Sequence, residues 1–113
     1  MNNKSALNFI ACDAKYKDSE IVVFGAPFDG TTSYHPGARF APQAMRSASE
    51  GGIETYSIHQ NKDLTDIRVC DIGNAGIPIG NSQQALKAIE KAAAKIVKDE
   101  KIPVMIGGEH LVT

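Results

Sequence analysis

Gly107-Gly108-Glu109-His110 is the segment of this sequence best suited to chemistry. It follows the apolar run Val104-Met105-Ile106, which places it where a strand ends. Consecutive glycines let the backbone turn sharply or let a ligand approach closely. Histidine is a common metal ligand and general base, and also a common structural group. Adjacent residues of an extended segment point to opposite sides, so Glu109 and His110 do not hold one ion together. Glu109 reads either as a hydrogen-bonding group behind a ligand or as a surface charge.

Other polar residues fall near strand ends. Asp29 follows the first apolar run and either faces a site or bonds its own backbone in a turn. Asp71 and Asn74 flank a second strand end, where Asx side chains often satisfy loop backbone. Arg39 offers a planar fork for a carboxylate, structural or substrate-facing. His35 and His59 sit in polar stretches and read as exposed loop histidines. Gly25, Gly30 and Gly37 are spaced too widely for a dinucleotide fingerprint, and no nucleophile elbow is present.

The elements that position these residues follow from apolar patterning. Ile21-Val22-Val23-Phe24-Gly25-Ala26 is a continuous apolar run, as in a strand buried on both faces of a parallel sheet. Residues 27–39 carry turn chemistry and form a long loop, a length usually associated with function. A helix starts near Pro42, where a missing N–H costs nothing, carries Ala44, Met45, Ala48 and Arg46, and stops at Gly51-Gly52. Residues 53–65 are irregular or form a short peripheral hairpin. Ile67 to Ile72 is a second strand, and residues 74–80 form a loop. Asn81 or Ser82 then caps a helix whose Ala85, Leu86, Ile89, Ala92, Ala93, Ile96 and Val97 recur at spacings of three and four. Pro103 introduces the third strand. Residues 1–19 read as a loose arm with a short helix around Ala6 to Cys12, and residues 20–113 as βαβαβ with a parallel sheet. Ligands of such sheets bind outside the carboxyl ends of the strands, where loops 27–39, 74–80 and 107–110 all lie.

Composition narrows the classes of partner. A net charge of −1 argues against nucleic acid or an anionic membrane. No apolar run approaches the roughly 20 residues that span a bilayer, and the start, Met1-Asn2-Asn3-Lys4, carries no signal-peptide core. Two cysteines, Cys12 and Cys70, make no disulfide framework, so reduced thiols in the cytoplasm are expected. Three strands with two helices leave sheet edges and one face uncovered. The expectation is therefore a piece of a longer protein.

Four segments together resemble the ureohydrolase (arginase/agmatinase) family. They are Val23 to Asp29, His35 to Arg46 with its Pro-Gly-Ala-Arg core, Asp71 to Asn74, and Pro103 to His110, in family order and spacing. Glu109, where arginases usually have aspartate, leans toward bacterial agmatinases. The resemblance implies a three-layer α/β/α fold around a mainly parallel sheet, of which this chain holds the first three strands. It also implies Mn²⁺-dependent hydrolysis of agmatine to putrescine and urea, with a pair of Mn²⁺ ions per complete site activating water. By the same resemblance His110 is a metal ligand, and the enzyme is a homo-oligomer, trimer or hexamer, acting on a small guanidino substrate. The remaining ligands belong to an Asp-Ala-His-x-Asp motif and a later aspartate-rich motif, which these residues do not contain. His35 replaces a common arginine and touches either substrate or a neighbouring subunit. Alternative readings are hydrolysis of guanidinobutyrate, arginine or formimidoylglutamate, and a non-catalytic α/β binding or assembly module.

Overall fold

Three parallel strands, Val69–Asn74, Ile21–Ala26 and Ile102–Gly107 side by side in that order, form the centre of the molecule. The structure, a computed structural model, describes residues 7–113. Strand β1 is Ile21–Ala26, β4 is Val69–Asn74 and β5 is Ile102–Gly107. Helix α1 (Ala41–Gly52) follows β1, and α2 (Ser82–Lys98) joins β4 to β5. Between α1 and β4 lies a small antiparallel hairpin, β2 (Tyr56–Ser57) with β3 (Lys62–Asp63).

Strand β1 is central because it is apolar on both faces. Val22, Phe24 and Ala26 pack toward α2, against Ala85, Ile89, Ala92 and Ile96. Those α2 residues recur at spacings of four, three and four, so a single stripe enters the core. Full burial of each isoleucine stabilises by about 1.5–3 kcal/mol. The stripe is narrower than its sequence periodicity suggests, since Val97 is exposed. With Leu86, Ala93, Met105 and Leu111 it lines an open apolar groove beside β5. The side chain of Asn81 caps α2 by accepting from the Gln84 N–H at 3.1 Å. On the opposite face, Val23 packs with Cys12 and Val69, and α1 buries Pro42, Arg46 and Ser49. The helices thus lie on opposite sides of the sheet, in three layers.

Several boundaries differ from the sequence reading, each for a physical reason. The second strand is predicted over 67–72 but runs over Val69–Asn74. Ile67 only follows a 3₁₀ turn at Leu64–Asp66. Gly73, at φ 81°, takes up a bulge, so that Val23 pairs with Asp71 and Gly25 with Asn74. The third strand includes Ile102 and Pro103. Ile102 N–H donates to Glu20, so by alternation the missing N–H of Pro103 is on the side away from β1, where proline is tolerated.

The predicted helix at Ala6 to Cys12 is not formed where it can be seen. Residues 1–6, Ala6 among them, lie outside the described residues. Leu7 to Cys12 are irregular, with a turn at Ile10 and Ala11 in which Ala11 has φ 60°. This stretch is also held in place: Phe9 N–H donates to Asp71, Ile10 N–H to Ser49, and Asp71 N–H to the Cys12 carbonyl. Asp13 then bridges Cys70 antiparallel. No helix among the described residues is long and apolar enough to cross a membrane.

Candidate functional site

Parallel strands deliver their exits to one end of the sheet. Ala26 of β1 pairs with Gly107 of β5, and Gly25 with Asn74 of β4, so the three loops leave side by side. The closest junction is at Gly108. Its φ is +22°, and a Cβ there would overlap the carbonyl oxygens of Phe28 and Ala26. Only glycine fits so tight an approach. Glu109 N–H then donates to the Phe28 carbonyl at 2.9 Å. Residues His110–Val112 form a 3₁₀ turn anchored by buried Val112. His110 is exposed, and its imidazole has no hydrogen-bond partner among the described residues.

Both carboxylate oxygens of Glu109 accept hydrogen bonds from the loop after β1. One carboxylate oxygen, Oε1, accepts from the Thr31 hydroxyl and from the Thr31 N–H at 3.2 Å; the other, Oε2, accepts from the Thr32 hydroxyl at 2.8 Å. These bonds, that of the Thr31 hydroxyl foremost, hold the carboxyl below its ordinary value despite some desolvation. The structure thus resolves its two readings in favour of hydrogen bonding.

Asp29 takes the turn role. Its buried carboxylate accepts from the Gly37 N–H at 2.7 Å and the Arg39 N–H at 3.2 Å, and pairs with the Arg39 guanidinium at 3.1 Å. Desolvation pushes this carboxyl up, but the Arg39 and Gly37 amides and the Arg39 charge outweigh it, and the net shift is downward. The long loop is therefore closed on itself. At its tip His35 adopts φ 49° and meets Tyr34 edge-on, ring centroids 4.1 Å apart. His59 is exposed in the β2–β3 hairpin.

Asp71 and Asn74 do more than satisfy loop backbone. Arg46 Nε and Nη2 donate to the two Asp71 carboxylate oxygens at 2.8 and 3.0 Å, and Nη1 donates to Asn74 Oδ1 at 2.6 Å. Both partners of the ion pair are fully buried. Asp71 accepts further from the amides of Phe9 and Gly73. Gly25 leaves the space that the Asn74 side chain crosses, since a Cβ there would overlap Asn74 Oδ1. Among the described residues no buried side-chain polar atom lacks a partner.

Sequence reasoning missed the roles of Arg46, Thr31 and Thr32. Arg46 had a detectable signal: with Pro42 and Ser49 it falls at helical spacing on one stripe. A charge on a buried stripe requires a buried counter-charge. Nothing in the spacing of Thr31 and Thr32 pointed to Glu109.

A cleft of about 580 Å³ separates the loops after β1 and β4, walled in part by Phe28, Asp29, Arg39, Asn74 and Ile77. His110 is not among its walls. No group of three or more His, Cys, Asp or Glu among the described residues is placed to hold a metal ion. Mn²⁺ takes several oxygen and nitrogen ligands. The exposed imidazole of His110 fits one coordination position and the described residues do not complete a site.

Known proteins are similar to this chain in sequence and fold. The agmatinase of Halalkalibacterium halodurans is 41% identical over 105 residues, covering 93% of this chain and 36% of the relative. A putative agmatinase from Clostridium difficile has a crystal structure that superposes with a TM-score of 0.82 at 51% identity, covering 87% of this chain and 35% of that one. The agmatine ureohydrolase of Thermoplasma volcanium gives 0.87 at 30% identity, covering 96% and 36%. The chain thus spans about 36% of the length of the curated agmatinases it matches. The family model of the Arginase family matches residues 19–113, and the chain belongs to that family.

Proposed function

We propose that this chain is the His110-bearing part of a Mn²⁺-dependent agmatinase. In the reaction, water adds to the guanidinium carbon of agmatine, the bond from that carbon to the alkyl nitrogen breaks, and putrescine and urea leave. The observation that carries the reading is the placement of His110: an exposed imidazole, without a partner among the described residues, at the carboxyl end of a parallel strand, on a turn that only glycine can form. Similarity to agmatinases along 93% of the chain supports the substrate.

His110 would hold one position on the metal, and residues outside this chain the others. When bound, the metal supplies positive charge that lowers the pKa of water and stabilises developing negative charge. This chain's own contribution is to present the imidazole at a fixed place. The Gly108 turn, the Glu109–Phe28 backbone bond and buried Val112 leave the His110 segment little freedom. On this reading residues 1–113 by themselves release no urea, and the intact enzyme is a trimer or hexamer.

The test is a substrate panel on the intact protein with Mn²⁺: agmatine, guanidinobutyrate, arginine and formimidoylglutamate. Urea from agmatine well above the products of the others is expected. No urea from agmatine, or equal turnover of another substrate, overturns the assignment.

A further inference from the structure

We infer that Glu109 is a positioning residue, not a metal ligand, and that it sets the reach of His110 by clamping the segment 107–110 to Thr31 and Thr32. The inference rests on the reading of His110 given above. Both carboxylate oxygens of Glu109 already accept hydrogen bonds, three in all, from Thr31 and Thr32. These bonds fix the carboxylate on the loop after β1.

The loop end of this clamp is rigid in its own right. Asp29 ties the loop's start to its end through the amides of Gly37 and Arg39 and through the Arg39 guanidinium. The strand end is equally fixed. Gly108 is pressed against the Phe28 and Ala26 carbonyls, and Glu109 N–H bonds the Phe28 carbonyl. Backbone bonds at Phe28 and side-chain bonds at Thr31 and Thr32 therefore attach one short segment to one closed loop at two heights. The residue next in sequence to Glu109 is His110. Releasing the side-chain attachment leaves the front of the His110–Val112 turn held only by the Gly108 approach and the Glu109–Phe28 backbone bond.

Groups that orient a ligand from behind typically contribute 10- to 100-fold in metal affinity. The test uses the intact protein and measures Mn²⁺ affinity from the spin-resonance signal of the free ion. In parallel, hydrogen exchange of the Thr31 amide is followed in the metal-free protein. Glu109→Ala and the pair Thr31→Ala/Thr32→Ala should each weaken Mn²⁺ binding by about 10- to 100-fold and speed Thr31 exchange. Combining all three changes should weaken binding no further, because they break one contact. Thr31→Ser/Thr32→Ser keeps the hydroxyls and should stay within about threefold of wild type.

Wild-type Mn²⁺ affinity in the threonine-to-alanine pair, with loss in Glu109→Ala, would show Glu109 acting on the metal directly and overturn the inference. Additive losses would do the same. Faster exchange with unchanged affinity would reduce the clamp to a stabilising contact, also against the inference. A wild type that binds no Mn²⁺ overturns the functional reading and this inference with it, whereas a wild type that binds Mn²⁺ with unaffected variants sinks the clamp alone.

Discussion

Helices α1 and α2 cover opposite faces of the same strand by opposite means. Helix α2 presents Ala85, Ile89, Ala92 and Ile96, a purely apolar stripe. Helix α1 presents Pro42, Arg46 and Ser49, and its central contact is the buried bond of Arg46 to Asp71 and Asn74. Apolar burial is non-directional, so α2 tolerates small shifts. A guanidinium bonded to three oxygens at fixed angles does not. The directional helix is the one that continues directly from the loop clamped by Glu109. It is also attached to Asn74, at the exit of β4. The two helices therefore divide the labour: α2 packs without directional constraint, while α1 fixes the orientation of the loops around His110.

The largest effect should come from breaking the polar attachment. Arg46→Ala leaves Asp71 buried without its counter-charge, and loss of about 3–5 kcal/mol is expected in denaturant unfolding of the intact protein. Arg46→Lys keeps the charge but not the fork, and it should recover only part of that loss. Full recovery by lysine would show that charge alone, not geometry, attaches α1.

On the apolar side, truncation is also costly but conservative change is not. Ile96→Ala should cost about 2–5 kcal/mol, and Ile96→Val only about 0.5–1.5. If valine at 96 proves as damaging as lysine at 46, the contrast between the two helices fails.

The smallest effect concerns the thiol on the α1 side. Burial, then the charges of Asp71 and Asp13, push Cys12 from 9.0 up to about 11. A raised folded pKa means that the folded state keeps a proton the unfolded state has lost. The corresponding stability is full below pH 9.0 and is lost as pH rises toward about 11. Melting temperature should therefore fall less over that interval in Cys12→Ala than in wild type. Parallel curves would place the thiol in contact with water.

The same contrast explains what the sequence disclosed. Helix α2, its Asn81 cap and strand β1 could be read because apolar spacing and capping are local patterns. Helix α1 was found from Pro42 and its two closing glycines, but its mode of attachment was not. Arginine and serine on a helix ordinarily mark the solvent face, and Asp71 lies 25 residues away. Strand β4 was placed two residues early, since Gly73 and Asn74 look like a loop although a bulge lets the ladder continue to Asn74. At the site, the close approach at Gly107-Gly108 was legible from residue type. The Glu109 clamp was not, because Thr31 and Glu109 are 78 residues apart and only the parallel register of β1 with β5 brings their loops together.

The central claim is that His110 holds a metal needed to hydrolyse agmatine. The most direct measurement is urea release from agmatine by the intact protein, stripped of metal and then supplied with Mn²⁺, in wild type and His110→Ala. The account predicts that activity returns with Mn²⁺ in the wild type. In the variant it should fall by more than about 100-fold, beyond what groups behind a ligand contribute. Equal urea release with and without Mn²⁺, or a His110→Ala variant as active as wild type, would contradict it.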